Sequence, residues 1–121
     1  MKDLFWVASS LRDLRSFPTN VRQEAGFAIR LAQGGEKAAN AVPLVGFGGA
    51  RVLEVIIPHD GDAFRVVYTV KFKHVVYVLH AFQKKSKKGI ATPRVDLALV
   101  RHRLKEAERH HAKEEENDRG A

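Results

Sequence analysis

With 121 residues, no cysteine and a net charge of +7, this chain has the length of one domain, enough to bury a core without a disulfide or a metal. The absence of cysteine excludes thiol chemistry and thiolate metal sites, and no apolar stretch approaches the roughly 18 residues that a membrane span needs. The opening apolar run is also too short for a signal peptide.

The expected organisation is therefore a single cytoplasmic domain over 1–112, without a membrane partner, followed by a disordered tail over 113–121. The charge is uneven: residues 51–94 hold nine Lys/Arg against three Asp/Glu. Such a segment is either a solubilising surface or a site for a polyanion.

Leu4 to Ala8 reads as a first strand. Ser10 with Asp13 three residues later resembles a capping box for a short helix through Leu11 and Leu14. Pro18 disfavours helical geometry at Phe17 and then opens a second helix. On that helix Val21, Ala25, Ala28, Ile29 and Ala32 form one apolar face, and Gly34-Gly35 ends it. Residues 36–50 read as a loop closing on Gly46-Phe47-Gly48-Gly49. A Gly-rich loop can cradle phosphate, but a strand follows where such a site needs a helix, so this one reads as the entry to a hairpin.

Three strands follow. Val52 to Ile57 is joined to Phe64–Phe72 by a turn carrying the Asp60-Gly61 signal. A tight turn near Lys73-His74 leads into Val75–Gln83. Short connections make these strands antiparallel neighbours. After a basic loop over Lys84–Gly89, Thr92 as N-cap and Pro93 at the first position open a last helix, with Leu97, Val100, Leu104 and Ala107 on one face. The fold class is thus α+β: two N-terminal helices packed on a mainly antiparallel sheet, with a C-terminal helix.

Chemistry-bearing residues gather in the basic segment. Strand alternation places Arg65 with Lys71 on one face, and Val76, Val78, His80, Phe82 and Lys84 on another. If these faces coincide, Arg65 and His80 lie together. Arginine offers fixed donors to phosphate oxygens, histidine exchanges protons near neutrality, lysines hold a backbone and an aromatic stacks a base. The competing readings are structural: Arg65 pairing with Glu54 across the meander, Phe82 as core, and the lysines as a solvated turn. The six histidines show no metal-ligand spacing, and no Gly-x-Ser-x-Gly elbow occurs.

The run Phe64-Arg65-Val66-Val67-Tyr68, then His80-Ala81-Phe82-Gln83-Lys84-Lys85-Ser86-Lys87-Lys88, then Thr92-Pro93, resembles the phage-derived, HigB-like branch of the RelE/ParE toxin superfamily. Val52-Leu53-Glu54-Val55, Trp6 and Ser9 fit the same pattern, and the resemblance extends to about residue 110. It implies a type II toxin that cleaves ribosome-bound mRNA without a cofactor or metal and is neutralised by a helix-turn-helix antitoxin. On this resemblance Arg65 is the catalytic candidate and the Lys84–Lys88 loop matches the family's basic segment. By residue type His80 joins Arg65 as a catalytic candidate, and Lys71 and Phe82 join Lys84, Lys85, Lys87 and Lys88 as RNA-binding ones. Several relatives place a catalytic histidine or tyrosine after the last strand, where this chain continues into a helix. The superfamily also contains gyrase inhibitors, so the same fold leaves that activity open, and an inactive basic nucleic-acid-binding module is the third reading.

Overall fold

The computed structural model describes residues 1–85 and 91–120. The elements are β1 (Asp3–Trp6), α1 (Ser10–Arg15), α2 (Thr19–Gln33), β2 (Ala41–Pro43), β3 (Val52–His59), β4 (Asp62–Thr69), β5 (Val75–Lys84) and α3 (Arg94–Gly120). One sheet runs in the order β1-β5-β4-β3-β2. The meander is antiparallel as expected, while β1 lies parallel to β5, so the sheet is mixed.

The local signals hold where the chemistry is local. Val21, Ala25, Ala28, Ile29 and Ala32 are all buried on α2. Asp60 (φ 48°) and Gly61 (φ 81°) form a two-residue turn with both residues left-handed, the twist that joins adjacent antiparallel strands. Two caps differ from expectation. The Ser10–Asp13 capping box does not form: Ser10 is buried and donates to the Val78 carbonyl, while Ser9 donates to Asp13. Thr92 does not cap α3 either. The Pro93 carbonyl accepts the first helical N–H, from Leu97, and the Thr92 hydroxyl turns to Glu54 on the sheet.

Strand β2 went unread because three residues are too few to alternate, and Pro43 suits only an edge. At the other end of the chain, α3 runs on to Gly120 with residues 112–120 exposed. Pairs at i, i+4 line this stretch: His110–Glu114, His111–Glu115 and Glu115–Arg119.

The sheet separates two apolar layers. α1 and α2 cover one face, packing against Val55, Val66, Tyr68 and Val78. α3 crosses the other, where Val100, Leu104 and Ala107 meet Val52, Val67, Tyr77 and Leu79. The face left for a ligand by a two-helix packing scheme is therefore largely occupied by the chain's own C-terminal helix.

One irregularity on β5 decides which side chains reach that face. The β4–β5 register pairs Val67 with His80 but Tyr68 with Val78, so Leu79 is an extra residue in β5. A bulge of this kind shifts the side-chain alternation by one position. Val76 and Val78 consequently face α2, while His80, Phe82 and Lys84 face α3. This corrects the strict alternation that grouped all five together. The same shift brings His80 onto the face of Arg65, which pairs with Phe82.

Within the α2-side core, the Tyr68 hydroxyl is buried and has no hydrogen-bond partner among the described residues. An unsatisfied buried hydroxyl costs about 1–3 kcal/mol, so Tyr68→Phe is expected to leave stability unchanged or raise it by about 1 kcal/mol. Burial also pushes the Tyr68 pKa from 10.0 up to about 12. The fold favours the neutral phenol, so its contribution is complete below pH 10 and is lost as pH rises towards 12. Urea midpoints measured across that range should lose part of their alkaline slope in the Phe variant. A Phe variant that is destabilised at neutral pH would show that the hydroxyl has a partner.

Candidate functional site

Where β3, β4 and β5 pass beneath the start of α3, two polar clusters lie side by side. In the first, Arg65 Nη1 stands 2.9 Å from Glu54 Oε1, with the two side chains 2% and 3% exposed. Thr92 Oγ1 lies 3.1 Å and 2.9 Å from the two oxygens of the same carboxylate. A buried ion pair costs much desolvation unless its remaining donors and acceptors are met, and the Thr92 hydroxyl helps to meet them. This cluster fastens the segment before α3 to the middle of the sheet.

The second cluster is centred on His80. Its Nε2 lies 2.7 Å from Asp96 Oδ1 in the first turn of α3, and its ring stacks on Phe82 with centroids 4.7 Å apart. Its Nδ1 lies 3.4 Å from Arg103 Nη1. Arginine only donates, so Nδ1 accepts and the ring proton sits on Nε2, directed at Asp96. Arg103 is itself buried. It also donates to the Leu79 carbonyl, at 3.0 Å, and to Ser9 Oγ, at 3.0 Å. The bulge that turns His80 towards α3 thus has its backbone carbonyl satisfied by the same guanidinium that orients the ring. Asp96 is the more open partner, with 20% of its side chain exposed against 7% for His80.

The other expected residues are distributed more widely. Phe82 is half-buried beside His80, and Lys84 ends β5 on the same face with Nζ on the Ala91 carbonyl. Lys85 is exposed. Lys87 and Lys88 lie outside the described residues. Lys71 is elsewhere: it follows β4, pairs with Glu108 at 2.6 Å and lies over the Phe72 ring. Asp96 and Glu108 are twelve residues apart on α3, about 18 Å along its axis, so Lys71 does not join the His80 cluster.

Sequence reasoning missed Asp96, Arg103 and Ser9. A signal existed for two of them. Asp96, Val100, Arg103 and Ala107 recur at i, i+4, i+7 and i+11, which places two charged residues within the buried stripe of α3. A charge inside an apolar stripe needs a buried partner. Among the described residues no group of three or more His, Cys, Asp or Glu is arranged to hold a metal ion, and no helix is long and apolar enough to cross a membrane.

Comparison with known proteins agrees with this architecture. The family model of phage-derived protein Gp49-like (DUF891) matches residues 12–105. The crystal structure of the isolated E. coli RelE toxin superposes with a TM-score of 0.52 at 21% identity, covering 84% of this chain and 98% of that one. No curated protein sequence matches.

Proposed function

Because this chain belongs to the phage-derived Gp49-like family, within the RelE/ParE toxin superfamily, we propose that it is the toxin of a type II toxin–antitoxin pair, an endoribonuclease acting on ribosome-bound mRNA in the cytoplasm. The observation that carries this reading is the His80–Asp96 pair, oriented by Arg103 and flanked by Phe82 and Lys84 at the end of the basic segment.

Cleavage by this route draws on the chain's own side chains and water. The ribose 2′-oxygen attacks the adjacent phosphorus, and the P–O2′ bond forms as P–O5′ breaks. The 2′ proton passes to the Asp96 carboxylate, which His80 holds in place through Nε2–H. The departing O5′ takes a proton from water, leaving a 2′,3′-cyclic phosphate and a 5′-hydroxyl. Such proton transfer to a positioned side chain contributes about 10²–10⁴-fold. Lys84 and Lys85 supply positive charge where the phosphorane develops, and Phe82 offers a stacking surface for a base. Arg65, buried against Glu54, serves this site by fixing the start of α3 and hence Asp96. The partner is a helix-turn-helix antitoxin whose acidic segment covers the basic surface.

The test is to induce the protein in cells and map new mRNA 5′ ends, then to repeat cleavage on translating ribosomes with a chelator that leaves the ribosomes intact. Expected are discrete cuts at fixed codon positions, 5′-hydroxyl ends, and no loss of cleavage on chelation. Intact transcripts in growth-arrested cells would overturn the nuclease reading in favour of a gyrase inhibitor.

A further inference from the structure

The side of α3 turned away from the sheet carries a row of cations. Arg94, Arg101, Lys105 and Arg109 recur at i, i+7, i+11 and i+15, and all four are exposed. At 100° per residue they fall within an arc of about 80°, and at 1.5 Å per residue the row is roughly 22 Å long. Val100, Arg103 and Ala107 are buried on the opposite side. Among the described residues none of the four cations is ion-paired, because the neighbouring carboxylates are engaged elsewhere: Glu108 with Lys71 at 2.6 Å and Glu106 with His102 at 3.1 Å.

A charged row on a helix is ordinarily a solvated face. Here a second feature sets it apart. The Arg101 guanidinium lies over the Phe47 ring, 5.1 Å from its centroid. The backbone makes room for it at Gly46, where φ is +99° and an added Cβ would stand 3.0 Å from Arg101 Nη2. An arginine laid on an aromatic ring keeps a planar, preorganised set of donors at the surface and loses less side-chain freedom on binding. Exposed Arg51, at the far end of the same loop, adds to the charge there.

We infer that this face, Arg94, Arg101, Lys105 and Arg109 with the Gly46–Arg51 loop, binds the phosphate backbone of RNA. Arg94 is two residues from Asp96, so the row begins beside the candidate site and extends away from it. The inference rests on the nuclease reading for the identity of the polyanion and adds a binding track that the catalytic cluster does not contain.

The test uses a single-stranded RNA with 2′-O-methyl riboses, which cannot be cleaved by 2′-oxygen attack, and measures anisotropy across a salt series. The wild-type chain is compared with a variant carrying Arg94→Gln, Arg101→Gln, Lys105→Gln and Arg109→Gln. Each phosphate contact on a single strand contributes a slope of about −0.7 in log K against log salt. The variant's slope is therefore expected to be shallower by about 2 to 3, with affinity near 0.1 M salt falling roughly a hundredfold. A second variant with Arg94→Lys, Arg101→Lys and Arg109→Lys should keep most of the slope, and circular dichroism confirms that both fold. Superimposable salt curves for wild type and the Gln variant would overturn the inference, leaving a solvated face only. So would a wild type that binds no RNA, or a Gln variant that binds RNA normally and loses only binding to polyglutamate, which would assign the row to an acidic protein. Cleavage on translating ribosomes, read separately, distinguishes the two proposals: a lost slope without any cleavage by the wild type removes the nuclease reading and leaves the RNA track standing.

Discussion

Arg65→Ala is expected to lower the free energy of unfolding by about 3–5 kcal/mol, because it leaves the Glu54 carboxylate buried without its counter-charge. The pair sits at the centre of the sheet, and Glu54 also holds Thr92 in front of α3. Loss of toxicity in this variant would therefore not separate a catalytic arginine from a structural one. The double variant Glu54→Leu, Arg65→Met makes the separation, since replacing both charges with apolar groups of similar size is often neutral or stabilising. Urea denaturation should show the single variant strongly destabilised and the double variant close to wild type. Cleavage by the refolded double variant then shows that the guanidinium does not act on the RNA and that the buried pair serves the fold. A folded double variant without cleavage, beside a Thr92→Val variant that loses only the hold on Glu54 and still cleaves, would require the guanidinium to contact the RNA. A stable Arg65→Ala protein would refute the stability argument itself.

His80→Ala and Asp96→Asn are expected to reduce single-turnover cleavage of ribosome-bound mRNA by about 10²–10⁴-fold, the usual contribution of a positioned proton-transfer group. His80→Ala leaves Asp96 without the 2.7 Å hydrogen bond that holds it, while Asp96→Asn keeps an acceptor for Nε2–H and removes the basic carboxylate. The combined variant should lose little more than each alone, because groups that act as a unit are not additive. Arg103→Lys is the comparison that isolates orientation. Lysine keeps the charge but cannot reach the Leu79 carbonyl, His80 Nδ1 and Ser9 with one planar fork. Cleavage by His80→Ala within tenfold of wild type, in protein shown to be folded, would remove this pair from the mechanism.

The sequence determined what short-range chemistry controls. The apolar spacing of α2, the Asp60-Gly61 turn and the three-strand meander follow from contacts between residues close in the chain, so each could be read without a partner element. The basic middle segment and the resemblance carried by Phe64–Lys88 were legible for the same reason. Tertiary structure alone decided the site. Strand alternation counted along β5 put His80 on the face of Val76 and Val78, and only the pairing with β4 reveals the extra residue at Leu79 that turns it over. Arg103 reaches Ser9 across 94 positions of sequence and His80 across 23, and no periodicity within one element encodes where another will dock. Arg65 showed the same division: its residue type suited either a phosphate contact or a pair with Glu54. Cross-strand register, which sets Glu54 opposite Val67 and Arg65 opposite Ile56, places the two charges diagonally on one face, where burial beneath α3 leaves an ion pair as the arrangement that meets both.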